Sequence, residues 1–271
     1  MSETKDTKST TSTETQSNTQ KTQSQYPSEF IDLPSEGKLY PEGHPLREGK
    51  IEVKYMTARE EDILTSQNLI KKGLVIDQLL NSLILTPGIT VDDLYVGDKN
   101  AVMVAARILA YGPEYKVEIL DPDDPNGENV EEHTFNLADL EYKKFPKELD
   151  IKENRFYMKL PASKAEIEFK LLMGKDDSAI NKELESFKKL KENRDITTRL
   201  RYMIISVNGD NTPETVNNFV TNMLARDSLA FRRYWTDLGP DIVLEQEVET
   251  QGGDMVMVDI PMTTNFFWPS E

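Results

Sequence analysis

Cysteine is missing from all 271 residues, so disulfides and thiolate metal sites are excluded. Histidine is scarce: His44 and His133 are the only two. They do not form a helical metal-binding spacing, and no nucleophile elbow frames either. Phosphate-binding glycine loops are absent, the glycines being scattered. No apolar run approaches the roughly 20 residues that span a bilayer, so stable membrane association is not expected. Residues 2–25 contain no apolar side chain. They offer no signal-peptide core and cannot offset the entropy of ordering, which predicts a disordered polar tail over 1–25.

Positive charge is also short. Lys and Arg number 32 against 48 Asp and Glu, for a formal net charge of -16. In the tail, Glu3, Asp6 and Glu14 balance Lys5, Lys8 and Lys21, so the acidity belongs to the remainder. An acidic surface repels nucleic acid at long range, and no nucleic-acid partner is expected.

What remains is patterned for a folded α+β protein. From Leu33 to Leu46, Pro34, Pro41 and Pro45 alternate with Gly37 and Gly43, which forbids regular helix. Leu33, Leu39, Tyr40 and Leu46 still need burial, so the segment is expected to lie extended across a surface. That surface is either the chain's own domain or a neighbouring subunit. Residues 51–55 alternate as a short strand. Thr57-Ala-Arg-Glu60 is a capping box that opens a helix running to Lys71, Lys72 and Gly73. Ile76, Leu79, Leu80 and Leu83 mark a second helix. Asp98 is placed to cap a third, striped by Ala101, Val102, Ala105, Ile108 and Leu109 and ended by Gly112-Pro113.

Period two then takes over. Tyr115, Val117 and Ile119 face residues 130–135 across an acidic tip, residues 121–127. The tip is superficially calcium-like, but its prolines and the missing closing Glu break that pattern. Residues 155–160 and 165–172 form another strand pair. Helices return at Ser178, with Ile180, Leu184, Phe187 and Leu190 on one stripe. Ile196, Leu200, Met203, Ile204 and Val207 carry the next. Thr212-Pro213 caps a further helix. In the last helix Phe231, Tyr234, Trp235 and Leu238 lie at core spacing, beside Arg226, Arg232 and Arg233. Packing with an Arg-rich outer face or a protein-binding hot spot both fit that cluster. A hairpin, 242–248 with 255–260, turns at Gln251-Gly-Gly253, and Phe266-Phe-Trp-Pro269 ends the sequence.

These residues match a known pattern. Leu33-Pro-Ser-Glu-Gly-Lys-Leu-Tyr-Pro, followed by Lys54-Tyr-Met-Thr-Ala-Arg-Glu-Glu-Asp-Ile-Leu64, resembles the signature of the baseplate hub proteins of T4-like contractile-tail phages. Ile70-Lys-Lys-Gly73, Ala106-Arg-Ile-Leu-Ala-Tyr-Gly112, Met223-Leu-Ala-Arg-Asp-Ser228 and Phe266-Phe-Trp-Pro269 continue it. The resemblance implies a structural or assembly role, exercised by binding other hub or tail proteins, and no enzymatic activity. It implies action in the host cytoplasm during assembly and a place in the virion tail baseplate, within an oligomeric assembly. The rival is an assembly chaperone absent from the virion. A hydrolase using His133 or His44 is a distant third. Several relatives carry Cys pairs at hairpin tips, as zinc ribbons do. Neither tip here, 121–127 or 249–254, has one, so no zinc or other cofactor is expected.

The expected architecture is a helical body with antiparallel β-hairpins after the disordered tail. Residues 26–271 form a hub-like domain, mainly helical over 26–112, β-hairpins over 113–175, and helices plus a terminal hairpin over 176–271. Partner binding is expected at Leu39, Tyr40 and Leu46 of the Pro/Gly arm and at Phe266, Phe267, Trp268 and Pro269, with docking onto the chain's own core as the alternative for both.

Overall fold

Strand β1 (Ser28–Asp32) pairs antiparallel with β2 (Lys50–Lys54), where Ile51 and Val53 turn inward. The structure, a computed structural model, describes residues 26–120, 130–147, 149, 151, 153–250, 253–262 and 264–267. The tail over 1–25, the acidic tip, the Gln251-Gly252 turn, Trp268 and Pro269 lie outside the described residues. Between β1 and β2 the Pro/Gly segment does not run extended, as its composition predicts. It winds through successive turns, with Glu36 N–H on Leu33 O, Tyr40 N–H on Gly37 O and Arg47 N–H on His44 O. It then closes on itself where Leu33 N–H donates to Gly49 O at 2.8 Å. Gly37 and Gly49, both at positive φ, make that closure, because a Cβ on Gly37 would stand 2.2 Å from Arg47 O.

Helix α1 (Ala58–Leu64) begins at the expected capping box, with Thr57 N–H donating to Glu60 at 3.0 Å. It stops eight residues short of Lys72. Thr65 turns its hydroxyl back onto the carbonyls of Glu61 and Asp62, and a separate α2 (Gln67–Lys71) follows. Helix α3 (Val75–Leu83) buries Val75, Leu79, Leu80 and Leu83, each worth about 1.5–3 kcal/mol of burial.

Helix α4 (Val96–Tyr111) is the axis of the fold, packed against α3 and buried over much of its circumference. Asp98 does not cap it. Tyr95 holds that place, and Asp98 is the third helical residue. Gly97 lets α4 approach the backbone at Pro240, whose oxygen would sit 1.9 Å from a Cβ there.

Beyond Gly112, β3 (Glu114–Leu120) and β4 (Val130–Asn136) form the expected hairpin, Glu114 opposite Asn136. After β5 (Tyr142–Lys143), strands β6 (Phe156–Lys159) and β7 (Glu166–Phe169) pair as expected. Helix α5 (Gly174–Lys189) starts four residues before Ser178 and leaves Leu190 exposed. Helix α6 (Asp195–Met203) ends early: Ile204 and Val207, expected on its stripe, belong to strand β8 (Ile204–Val207) beside β7. Two β-branched residues at its head and a turn at Asn208-Gly209 decide for strand.

Helix α7 (Pro213–Thr221) takes its cap from Thr212, and α8 (Ala225–Leu238) buries Phe231 and Leu238 but leaves Tyr234 exposed. The terminal run expected as one strand is divided. Strand β9 (Asp241–Ile242) pairs with β5, and β10 (Glu245–Glu249) pairs with β11 (Met255–Asp259). Among the described residues this is an α+β chain of eight helices and five antiparallel sheets. One apolar cluster runs through it from Leu33 to Phe267.

The Gly97 contact yields a test. Gly97→Ala drives a methyl group into backbone that cannot step aside, and should cost about 2–3 kcal/mol in urea unfolding. Unchanged stability would mean that α4 and the Pro240 segment are not in close contact.

Candidate functional site

The Pro/Gly loop, residues 33–49, converges on the first turn of α4. Asp98 Oδ1 accepts the Ser35 N–H at 2.9 Å, and Oδ2 accepts the hydroxyls of Ser35 and Tyr40, each at 2.7 Å. The Tyr40 hydroxyl in turn accepts the Tyr95 N–H at 3.2 Å. In α1 the third-residue carboxylate takes the cap N–H directly. In α4 a tyrosine from the distant loop is inserted between the two. Tyr95 completes the circuit by donating its hydroxyl to Leu39 O at 2.8 Å. Asp98 is fully buried. Burial pushes its carboxyl above the usual range against the pull of its donors, and Asp241 adds repulsion. Burial also raises the Tyr40 and Tyr95 phenols, so both remain neutral donors.

This placement answers where the arm's apolar residues go. Leu39 is 3 %, Tyr40 1 % and Leu46 0 % exposed, all within the chain's own core. His44 stacks on Tyr40 with ring centroids 4.9 Å apart, and its Nδ1 accepts the Leu46 N–H. Arg47 braces the loop from outside through the carbonyls of Gly37, Lys38 and Tyr40.

The chain end is treated similarly. Phe266 and Phe267 are each 0 % exposed, and the Phe266 ring meets Tyr115 edge-on at 4.9 Å. Arg107, buried in α4, donates to Phe266 O, Gly112 O and Glu114 O. One guanidinium thus ties the end of α4, the start of β3 and the terminal segment together. Burial lowers its pKa, yet at neutral pH it remains the charged donor. The sequence signal for Arg107 was a lone charge within an apolar helical run. For Asp98 it was an acid placed to suit the third helical position as well as the cap.

A further carboxylate does comparable work. Asp227, third in α8, accepts the N–H groups of Ala162 and Ser163 at 2.7 and 2.9 Å, pinning the turn between β6 and β7. Burial opposes its ionisation, but these donors outweigh it and hold the carboxyl below its usual range. Among the described residues no buried side-chain polar atom lacks a partner, and no group of three or more His, Asp or Glu side chains is placed to hold a metal ion. His133 pairs with Glu131 at 3.3 Å on β4.

What the chain can offer others therefore lies outside this network. A cleft of about 810 Å³ opens between the α2–α3 elbow and the α5–α6 turn, lined by Leu74, Leu184 and several lysines. The hairpin β10–β11 displays Met255 and Met257. Tyr157 and Tyr234 flank a shallower depression with Arg155 and Leu149.

Residues 26–231 match the family model described as T4 bacteriophage base plate protein. No curated protein and no solved structure matches the chain.

Asp98→Ala strands the Ser35 and Tyr40 donors and should lower unfolding stability by about 3 kcal/mol at pH 7. A loss under about 1 kcal/mol would show that the loop holds without it. Asp98→Asn keeps the shape without ionising. Because the native carboxyl is raised on folding, its stabilising contribution is complete below the ordinary carboxylate pKa and is lost as pH rises through the raised value. The Asn variant should therefore gain on the native chain as pH rises above the ordinary carboxylate range; a pH-independent difference would contradict the assignment. At the other end, Phe266→Ala should cost about 3–5 kcal/mol in the same measurement. Native-like stability would mean that the terminal segment is only loosely held.

Proposed function

This chain belongs to the T4 bacteriophage base plate protein family, and from that premise we propose that it serves the baseplate hub of a contractile tail, acting by protein–protein binding during tail assembly. The observation that carries the reading is the family match over most of the folded chain. Two features of the fold support it. The buried polar groups are spent on holding loops to helices, as Asp98, Arg107 and Asp227 show. Exposed apolar side chains such as Met257, Tyr157 and Leu190 remain on the surface and are free for contact with partners.

In this reading the chain is a structural protein without enzymatic activity, cofactor or zinc. Its partners are other hub or tail proteins, met in the host cytoplasm as the tail is built. His44 is committed to Tyr40 and the Leu46 backbone, which leaves a hydrolase role without support at that residue. The second reading, an assembly chaperone that leaves before completion, uses the same surfaces.

Mass spectrometry of purified virions and of tail-assembly intermediates tests both. The chain should be found in baseplate intermediates, and in finished particles if it is a hub component. Its presence in intermediates alone would favour the chaperone. Absence from both would overturn the baseplate role.

A further inference from the structure

Strands β10 and β11 expose one face composed only of acids and methionines. Glu245 lies opposite Asp259, Glu247 opposite Met257, and Glu249 opposite Met255. All six are exposed, the two methionines at 55 % and 62 %. The reverse face, with Val248, Val256 and Val258, packs on the core. The hairpin is thus anchored on one side and presents flexible, polarizable side chains among four carboxylates on the other. Methionine is suited to filling an irregular apolar cavity on a partner.

The cleft beside α5 has the opposite character. Leu74 and Leu184 supply apolar wall, and exposed Leu190 and Ile196 stand beside its lining in sequence, Leu190 at the end of α5 and Ile196 in the first turn of α6. Three of its four lining acids are neutralised within the chain, Asp77 by Lys99 at 2.7 Å, Glu192 by Arg194 at 2.7 Å and Asp195 by Arg199 at 3.1 Å, which leaves Glu185 as the one acid set among the lysines. Lys72, Lys182 and Lys188 have no acidic partner among the described residues. In a chain of net charge -16, a cleft with two leucines in its wall and three lysines without an acidic partner is a local exception.

We infer that these two surfaces are made for each other in different copies of the chain: the acidic, methionine-bearing face of β10–β11 from one copy docks into the lysine-rimmed cleft of a second. The occupant is a second copy because this chain itself carries the complementary surface, apolar centre to apolar wall and carboxylates to lysines. Hairpin and cleft share no residues, so the contact is head-to-tail. A dimer keeps one free hairpin and one free cleft, on different copies, and repetition gives a closed ring or an open chain. The overall negative charge of each copy opposes association, which leaves the local charge match to set the docking direction.

Sedimentation velocity on the purified full chain, over a range of concentrations at about 150 mM salt, where the Debye length is about 8 Å, tests this. The native chain should form dimers and larger species as concentration rises. Met255→Ser with Met257→Ser, and separately Lys182→Glu with Lys188→Glu, should each weaken association at least tenfold. Both pairs are surface changes, and unchanged circular dichroism and melting temperature will confirm that the variants fold. An equimolar mixture of the two variants retains one good hairpin and one good cleft, and should give dimers but nothing larger. A native chain that stays monomeric, a variant that associates like the native chain, or a mixture that yields no dimer overturns the proposal. The baseplate role fails separately: a monomeric chain that still enters baseplate intermediates refutes only the docking, whereas a self-associating chain absent from them refutes only the role.

Discussion

A carboxylate at the third position of a helix, reaching beyond its own turn, is the constraint on which this fold depends. Glu60 in α1 takes the cap N–H of Thr57 and pairs with Lys54 at 2.8 Å, tying β2 to the helix that follows it. Asp176 in α5 takes the Met173 N–H and the Lys170 ammonium. Asp227 reaches a turn 64 and 65 positions away. Asp98 goes furthest in complexity, because a loop hydroxyl is built into its capping circuit. Each acid also lies where the helix dipole favours negative charge. Helix starts and loop positions are thereby determined together. For Asp98 the cost of burying a charge without a cation is visible as a raised carboxyl.

The consequence is a Pro/Gly loop that belongs to the core. Its turns remove the freedom that an arm would need to reach a neighbour, and its apolar side chains are used within the chain. The terminal phenylalanines are drawn in by the same logic, with Arg107 supplying donors where Asp98 supplies acceptors. Both ends of the apolar cluster are thus tied to α4. The surfaces left for partners are those that the core does not claim: a cleft, a hairpin face and an aromatic depression.

Local patterns in the sequence were readable where local physics decides. The capping box at Thr57, the α3 stripe, the β3–β4 alternation and the Thr212-Pro213 start each depend on residues a few positions apart. Ile204 and Val207 fall in strand because four apolar-rich residues suit either period, and the β-branched pair, the turn at Asn208-Gly209 and pairing with β7 together select strand. The helix break at Thr65 came from a hydroxyl competing for backbone carbonyls that the apolar stripe does not report. Asp98 and Arg107 were identifiable as residue types but not as a site, since their partners lie 58 to 63 and 159 positions away. The burial of Leu39, Tyr40 and Leu46 was foreseen; its destination was not, because composition demands burial without saying against what.

The central claim is that Asp98 makes the loop over residues 33–49 an integral part of the domain. Native-state amide hydrogen exchange at Ser35 measures this most directly, because that N–H is held by Asp98 alone. The Ser35 amide should exchange as slowly as the middle of α4, opening only with global unfolding. Exchange at the rate of a surface turn, with α4 still protected, would contradict the claim and return the loop to the status of a detachable arm.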